Sequence, residues 1–392
     1  MAWVYGSNGT TGDTLAYGAT VDDVIYTAAS FPVILRKNMW RQNYLLEHAQ
    51  PISCLSVHSK TNILATGQRG GPGFGGIGGV ILVFDLNNNG ELLRELSGFH
   101  SHGIAKVKFS RSGSLLLTLG AINNRIAVYD WRSHSVVAAV EGGNLPILDV
   151  SFTADANYFL QCGQENLKFH GFFGRNVTSQ KALLGAEGTL QTFPCATCFG
   201  NFPIVGTEDG HLYQFGAFEN EQAEPQSKSS STRQGEEALA AYRQLRAIIP
   251  AHKGPVTALF ACEAGLLSGG ADGIVVQWSR SLKKARTFDM NKICTGGGPK
   301  FSTRTVTSVS WDGSSPRILV GLANGEIREV WQSPIGKAMD VNGMPLVDAN
   351  FPRARGSGGG AASAFFQEAS EKISRVRLAI VLPRVLRFFT VS

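Results

Sequence analysis

One pattern recurs along the chain and restricts its fold more than any other feature. Each copy has an apolar strand, a turn, a second strand ending in small residues, a tight turn, and a third strand ending in an aromatic residue or a histidine. The early copies are separated by about 40–45 residues, which is the period of the blades in WD-repeat β-propellers. The third strands end at Phe84, Tyr129, His170, Phe215, Trp278 and about Trp331.

Six such copies predict six blades, and the residues ahead of them predict a seventh. The segments "VIYTAA", "FPVILRK" and "RQNYLLEH" supply three further strands. A propeller blade has four strands, and it buries both of its faces only when it is stacked between neighbouring blades. We therefore expect an all-β WD-repeat β-propeller of about seven blades, incompletely closed unless the C-terminal part supplies the missing strand.

This organisation divides the chain into three parts. Residues 1–20 form an N-terminal segment, residues 21–345 the propeller, and residues 346–392 a Gly-rich and then basic and apolar tail. A polar, Ser-rich insertion at 219–243 interrupts one repeat before its last strand and is typical of a surface loop. In the tail, "RVRLAIVL" fits the missing strand. A basic amphipathic segment for a membrane or a partner, or a segment without an evolved role, are the alternatives.

The stretch "AHKGPVTALFACEAGLLSGGADGIVVQW" contains the residue types of a serine hydrolase. His252 precedes the first strand of its repeat, Ser268 ends the second, Asp272 lies in the next turn, and Trp278 ends the third. A hydrolase serine is expected on an exposed turn beside an oxyanion hole, whereas "LLSGG" predicts the end of a buried strand. We therefore interpret the four residues as a buried hydrogen-bonded network. Other repeats keep parts of this set: His48 with Thr66, and His100 or His102 with Thr118 and Tyr129.

Two motifs could indicate a cofactor or a metal, and we interpret both as structural. A G-x-G-x-x-G at Gly71, Gly73 and Gly76 is followed by the strand "GVILVF", whereas a dinucleotide site needs a helix there. Cys195 and Cys198 have C-x-x-C spacing, but no second pair of zinc ligands is evident. We therefore expect no catalytic residue, no cofactor and no metal site.

Composition narrows the classes of partner. The net charge of +6 and the pI near 9.0 favour acidic partners. The N-terminus has no secretory signal pattern, no apolar run is long enough to cross a bilayer, and six cysteines are few for a disulfide scaffold. We expect a cytoplasmic protein with a protein partner, no nucleic acid and no membrane span.

The order of several segments resembles the echinoderm microtubule-associated protein-like (EMAP-like) family. The segments are "ILATGQ", "RIAVYDW", "QENLKFHGFFGR", "IVGTEDGHLYQF" and "AHKGPVTAL". Residues 15–48 resemble the end of that family's HELP motif leading into its first propeller. The resemblance implies seven blades and a non-catalytic scaffold that binds microtubules in the cytoskeleton, a cilium or a flagellum. Family members often add an N-terminal coiled coil and a second propeller, and neither is visible here.

If the chain acts as the resemblance implies, its basic side chains are the candidates for contact with tubulin or an axonemal partner. The surface of tubulin is acidic and attracts positive charge, and salt screens this attraction. The candidates are Arg36, Lys37, Arg41, Arg69, Lys106, Lys108 and Arg111. The same residues are equally consistent with ordinary solvated charges. Two other functions stay open: a generic WD-repeat adaptor in a multiprotein complex without tubulin binding, and an enzyme with acids, histidines or a metal in the central channel.

Overall fold

Short apolar runs separated by turns form seven four-stranded antiparallel sheets in the computed structural model, and each sheet is one blade. The structure describes Val4, Ser7, Gly9, residues 12–216 except 72, 74, 77 and 175, and residues 239–293, 304–332 and 338–339. In every blade the strands lie side by side in chain order. The prediction of an all-β propeller with seven blades is confirmed.

The first four blades have regular spacing along the chain. Blade 1 contains β1 (Leu15–Tyr17), β2 (Asp23–Ala28), β3 (Phe31–Arg36) and β4 (Arg41–Tyr44). Blade 2 contains β5 (Ile52–His58), β6 (Ile63–Gln68), β7 (Ile81–Asp85) and β8 (Glu91–Leu96). Blade 3 contains β9 (Ile104–Phe109), β10 (Leu115–Gly120), β11 (Arg125–Asp130) and β12 (Ser135–Glu141). Blade 4 contains β13 (Ile147–Phe152), β14 (Tyr158–Gly163), β15 (Asn166–Phe173) and β16 (Asn176–Lys181).

The last three blades carry the longer connections. Blade 5 contains β17 (Cys195–Phe199), β18 (Phe202–Gly206), β19 (His211–Phe215) and β20 (Leu245–Pro250). Blade 6 contains β21 (Val256–Cys262), β22 (Gly265–Gly270), β23 (Ile274–Trp278) and β24 (Lys284–Asp289). Blade 7 contains β25 (Val306–Trp311), β26 (Ile318–Leu322), β27 (Ile327–Gln332) and β28 (Ala338–Met339). Short helical turns occupy Lys37–Met39, 239–242 and Met290–Ile293.

The ring is closed by its N-terminal side, which corrects the prediction that the C-terminal part supplies the missing strand. Strand β1 pairs with β2 and completes blade 1, although it lies inside the segment 1–20 that we expected outside the propeller. The first strands of the blades contact one another in a full cycle, and β25 of blade 7 packs against β1. The tail strand "RVRLAIVL" lies outside the described residues, as does most of the insertion at 219–243.

Residues ahead of β1 fill the seam between the last and first blades. The backbone of Val4 is held by Gln42, whose Oε1 accepts its N–H at 2.8 Å and whose Nε2 donates to its carbonyl at 2.9 Å. Ser7 donates its N–H to the carbonyl of Gly325 at 3.3 Å. At Gly9 a Cβ atom would lie 2.6 Å from the backbone of Gly325, so only glycine fits this close approach. The N-terminal segment therefore joins blade 7 to blade 1.

Apolar side chains are buried between neighbouring blades rather than within any one of them. Val83 of blade 2 packs in one cluster with Leu116 of blade 3, and Val33 of blade 1 packs in another with Leu319 of blade 7. Each fully buried side chain of this size stabilises the fold by about 1.5–3 kcal/mol. The blades therefore depend on one another for stability, as radial stacking requires.

The turns of the blades lie at two ends of the ring because the strands are antiparallel. We call the end with the turns after the first and third strands the lower face. The upper face carries the turns after the second strands and the connections between blades. Contacts between blades show that equivalent turns meet: Nε2 of His58, ending β5, lies 3.2 Å from the carbonyl oxygen of Arg111, which follows β9.

Candidate functional site

The structure brings together the four residues of the suspected hydrolase set in blade 6. Trp278 donates its Nε1–H to Oγ of Ser268 at 2.9 Å. The same hydroxyl lies 2.8 Å from Nε2 of His252, and Nδ1 of His252 lies 3.2 Å from Oδ1 of Asp272. Since Ser268 accepts from Trp278, its own proton is directed to Nε2, and Nδ1 of the ring carries the proton donated to Asp272. The four residues form one continuous hydrogen-bonded chain.

Asp272 connects this chain to two backbone segments of the upper face. Its Oδ2 accepts the N–H of Lys253 at 3.0 Å, and its Oδ1 accepts the N–H of Ile274 at 3.1 Å. The carboxylate thereby fixes the segment entering blade 6 to the turn between β22 and β23. The next residue, Gly273, has φ of 76°, a left-handed conformation that glycine adopts without strain.

The burial of this network decides what chemistry it can perform. Ser268 is fully buried, and its oxygen is already occupied by Trp278 and His252. Burial lowers the pKa of His252 below its ordinary value, although the carboxylate of Asp272 acts in the opposite direction. A nucleophilic serine needs access to a substrate, so the arrangement serves to pair buried polar groups inside the blade.

Blades 2 and 3 contain partial versions of the network. Nε2 of His48 lies 2.7 Å from Oγ1 of Thr66, and Gln68 accepts the Nδ1–H in place of an aspartate at 3.1 Å. In blade 3, Nε2 of His100 lies 2.8 Å from Oγ1 of Thr118, and Nδ1 has no hydrogen-bond partner among the described residues. Burial lowers the pKa of both His48 and His100 to about 4, so both rings are neutral at pH 7.

Blade 4 has a histidine, His170, at the third-strand position where the other repeats have an aromatic residue. His170 donates its Nε2–H to Oε1 of Gln161 at 3.0 Å, and its Nδ1 lies 2.7 Å from Oγ of Ser179. Its ring also stacks on Phe159, with centroids 4.7 Å apart. Burial, with a smaller contribution from Lys168, lowers the pKa of His170 to about 3. This histidine is therefore a neutral structural group.

A charged cluster occupies the centre of the ring, and it changes the assignment of two candidate residues. Nζ of Lys106 lies 2.6 Å from Oδ2 of Asp13 and 3.9 Å from Oδ1 of Asp149, and Nζ of Lys108 lies 3.0 Å from Oδ1 of Asp13. The two lysine side chains are only 15% and 22% exposed. The structure therefore places Lys106 and Lys108 in ion pairs inside the ring rather than among the exposed cations of a face.

The cluster keeps its charges in spite of burial. Burial alone favours the neutral carboxyl, but Lys106 and Lys108 outweigh it and hold the pKa of Asp13 well below its ordinary value. For Lys106, burial favours the neutral amine, and Asp13 and Asp149 outweigh it and raise the pKa. Sequence reasoning missed both aspartates. No local signal marks them, because Asp13 lies ahead of β1 and Asp149 lies on β13, and only the closed ring brings them to the lysines.

The other basic candidates divide between the two faces. Arg36, Lys37, Arg41 and Arg111 lie at the lower face, and Arg69 begins a turn on the upper face. Lys37 is partly buried, with its Nζ 2.5 Å from Oε1 of Glu329.

Two arginines remain available at the lower face. Arg36 donates to Oδ1 of Asn89 at 3.3 Å and is only partly exposed. Arg41 and Arg111 are exposed, and within the described ranges neither forms an ion pair. Among the described residues, Arg41 and Arg111 are therefore the exposed lower-face cations of the original set that form no ion pair.

The glycine and cysteine motifs both lie in ordinary parts of blades. Gly71, Gly73 and Gly76 belong to the connection between strands β6 and β7, and among the described elements the next one after them is the strand β7. Cys195 and Cys198 lie on β17, and burial raises the pKa of Cys198 to about 12, which keeps it a thiol. Across the described ranges, no group of three His, Cys, Asp or Glu residues could hold a metal ion.

The helical turns are short, and in the part of the chain that the structure describes none is long and apolar enough to span a membrane.

Comparison with known proteins gives one consistent family. Residues 41–330 match the family model described as the echinoderm microtubule-associated protein first beta-propeller. Echinoderm microtubule-associated protein-like 2 of Rattus norvegicus is 26% identical over 347 residues, covering 84% of this chain and 50% of the relative. Echinoderm microtubule-associated protein-like 4 of Xenopus laevis is 24% identical over 298 residues, covering 74% of this chain and 31% of the relative.

The chain thus spans half or less of the length of these relatives. Since the family model extends over well more than half of its residues, and since the seven blades agree with a propeller, the protein belongs to the EMAP-like family.

Proposed function

We propose that the protein is a non-catalytic scaffold that binds microtubules through the lower face of its propeller. The observation that carries the proposal is the family match, which extends over residues 41–330 and describes a propeller of a microtubule-associated protein. The similarity to echinoderm microtubule-associated protein-like 2 and 4 supports it. The proposed location is the cytoplasmic cytoskeleton, including the axoneme of a cilium or flagellum.

The lower face has the composition of a protein interface. Met39 and Trp40, at the turn between β3 and β4, are 64% and 50% exposed. Arg41 follows them directly, and Arg111 lies at the same end of the ring. Tryptophan, methionine and arginine are enriched at protein interfaces, and tryptophan and arginine supply much of the binding energy there. The exposed apolar turn of Met39 and Trp40, together with the cations Arg41 and Arg111, fits an acidic protein surface.

The proposal of a non-catalytic role rests on the state of the polar networks. Ser268, the serine of the suspected hydrolase set, is fully buried. The acids and amines at the centre of the ring are paired with each other through Asp13, Lys106 and Lys108. Neither arrangement offers a free nucleophile or base to a substrate.

A generic adaptor without tubulin contact is the second candidate function. The observation that favours it is the pairing of Lys106 and Lys108 inside the ring, which removes two of the seven basic candidates. Lys37 is also engaged, through Glu329. Fewer free cations weaken the electrostatic attraction to an acidic lattice.

Co-sedimentation with taxol-stabilised microtubules over a salt series tests the two candidates. We expect saturable pelleting that weakens as salt rises, since the contact is partly ionic. A variant with Arg41→Glu and Arg111→Glu should pellet several-fold less, because like charges oppose docking. Arg69→Glu, on the upper face, is the matched control. A folded monomer that stays in the supernatant at low salt would leave the adaptor as the function.

A further inference from the structure

The tips of three neighbouring blades form a continuous surface on the upper face, which we call the upper arc. It consists of the turns after the second strands of blades 3, 4 and 5 and of the connections entering blades 4 and 5: residues 121–124, 163–165, 207–210, 141–146 and 189–193. Nδ2 of Asn124 donates to the carbonyl oxygen of Leu145 at 3.0 Å, which joins blade 3 to the connection into blade 4. Phe193 donates its N–H to the carbonyl oxygen of Gly163 at 3.0 Å, which joins blade 4 to the connection into blade 5.

Three large apolar side chains are exposed on the upper arc. Ile122 is 66% exposed, Leu145 47% and Leu190 60%. They belong to the turn of blade 3 and to the connections into blades 4 and 5. A single exposed apolar residue is ordinary at a protein surface, whereas several on adjoining segments, surrounded by polar groups, are typical of an interaction site.

The ionisable side chains of the upper arc are all acidic. Its five segments contain four acids and no Lys, Arg or His: Glu141, Glu165, Glu208 and Asp209. Glu165 and Glu208 are exposed, and neither forms an ion pair with another described residue. Burial favours the neutral acid of Asp209, but hydrogen bonds led by that of Thr207 outweigh it and lower the pKa to about 2. These carboxylates are therefore charged at pH 7.

Cations stand at the margins of the upper arc rather than within it. Nε of Arg125 lies 3.9 Å from Oε1 of Glu141, so these two charges offset each other. Lys168 lies beside Gly143, and Lys253 is exposed where the chain enters blade 6. The acidic centre of the arc is therefore the pair of turns in blades 4 and 5, and a cationic segment is complementary to it.

The last residues of the chain have this complementary composition. Residues 372–392 have the sequence "KISRVRLAIVLPRVLRFFTVS" and lie outside the described residues. They contain no Asp or Glu, and apolar residues separate their five cations: Lys372, Arg375, Arg377, Arg384 and Arg387. The described residues already supply four strands to every blade, so the ring does not need this segment as a closing strand.

We propose that residues 372–389 bind the upper arc, with their arginines beside the carboxylates of blades 4 and 5 and their apolar side chains on the exposed leucines and isoleucine. The 32 residues 340–371 separate this segment from the end of β28. They can span up to about 100 Å, whereas a domain of this size has a radius of gyration of about 20 Å. A linked segment has an effective concentration of the order of millimolar, so a modest affinity keeps it bound. The contact does not depend on microtubule binding, which is proposed for the lower face.

Limited trypsin digestion of the full chain, followed by intact-mass spectrometry, tests the proposal. Trypsin cleaves after the arginines of residues 372–389, and the cleavage rate follows the fraction of molecules in which the segment is released. At low salt, the double variant Glu165→Lys, Glu208→Lys should lose these residues about fivefold or more faster than the parent, because like charges then oppose docking. Leu190→Ser should accelerate the loss by about two- to fivefold, because it removes an apolar contact.

The matched control is the double variant Glu91→Lys, Glu95→Lys, which reverses the same number of exposed charges on β8, the outer strand of blade 2. It should lose the segment at the rate of the parent. Thermal unfolding checks that each variant is folded.

A labelled peptide tests the same contact from the other side. In the full chain, the four arginines of the segment are changed to glutamine, which weakens its hold on the arc: Arg375→Gln, Arg377→Gln, Arg384→Gln and Arg387→Gln. A fluorescein-labelled peptide of residues 372–389 should then bind this glutamine variant at least about fivefold more tightly than the parent, as measured by fluorescence anisotropy. Adding Glu165→Lys and Glu208→Lys to the glutamine variant should abolish this gain.

The proposal is overturned if the parent, the arc variant and the control lose the segment at one rate. It is also overturned if the glutamine variant binds the peptide while the parent's own segment is unprotected, since the arc would then take such a segment from another protein. Phosphatidylserine vesicles supply the last comparison. If they protect the segment equally in the parent and the arc variant, and the arc gives no protection without them, the segment binds membranes instead.

Discussion

The carboxylate of Asp13 lies 2.6 Å from Nζ of Lys106, a residue 93 positions further along the chain. This ion pair joins the segment before blade 1 to the first strand of blade 3. Asp13 also accepts the backbone N–H of Leu55 in blade 2 through its carbonyl oxygen at 2.7 Å. The contact therefore fixes the N-terminal segment at the centre of the ring, where it acts on several blades together.

Replacing Asp13 should destabilise the propeller strongly. In Asp13→Ala the partly buried ammonium groups of Lys106 and Lys108 lose their shared partner, and breaking such a pair costs about 3–5 kcal/mol. Urea unfolding followed by circular dichroism measures the change. Asp22→Ala is the matched control: its ion pair with Arg317 is exposed, so removing it should cost less than about 1 kcal/mol. Equal losses in the two variants would contradict the role of Asp13.

Removing the hydroxyl of Ser268 should weaken blade 6. In Ser268→Ala, Trp278 loses its acceptor and His252 loses its donor, and both groups remain buried. An unsatisfied buried group costs about 1–3 kcal/mol, so we expect a clear drop in the melting temperature. Ser133→Ala, in an exposed turn, should change it little. A melting temperature unchanged by Ser268→Ala would show that the network does not stabilise the blade.

The repeat could be read from the sequence because its signals are local. Strand, turn and strand follow one another within each blade, and the network of His252 and Ser268 lies within one repeat and its entry. The strand Leu15–Tyr17 could not be read in this way, because all three of its residues are buried. A buried strand of this length has no alternation of polar and apolar residues to mark it.

The charged centre depended on contacts that no local pattern contains. Lys106 and Lys108 alternate with apolar residues on β9, which is also the pattern of a half-exposed strand. Their partners, Asp13 and Asp149, come from distant parts of the chain. Only the closed ring brings these four residues together, so the sequence alone could not separate free from paired cations.

Stability should fall in mild acid because of the buried histidines. The pKa is lowered to about 4 for His48 and His100 and to about 3 for His170. Each ring stays neutral when folded but gains a proton when unfolded below about pH 6.5. Their contribution is thus complete above that pH and is lost as the pH falls towards the folded values. Each histidine removes about 1.4 kcal/mol per pH unit in that window.

Chemical unfolding at several pH values between 7 and 5 measures this dependence. His100→Gln should reduce the slope of the unfolding free energy by about one proton. The control is His134→Gln, since His134 is exposed in a lower-face turn. If His134→Gln reduces the slope of the unfolding free energy against pH as much as His100→Gln does, buried histidines are not the cause of that slope.

Trp40 should be replaceable without loss of stability but not without loss of binding. Its φ of 50° is left-handed, a conformation that strains a bulky side chain and suits glycine. Trp40→Gly relieves this strain but makes the unfolded chain more flexible, so the unfolding free energy should be unchanged or higher by up to about 1 kcal/mol. The same variant removes the half-exposed indole from the lower face, so microtubule pelleting should fall several-fold. Ile122→Ser, which removes an exposed apolar side chain from the upper face, should pellet like the parent. If the Trp40→Gly variant is stable and pellets like the parent, the turn between β3 and β4 is not part of the interface.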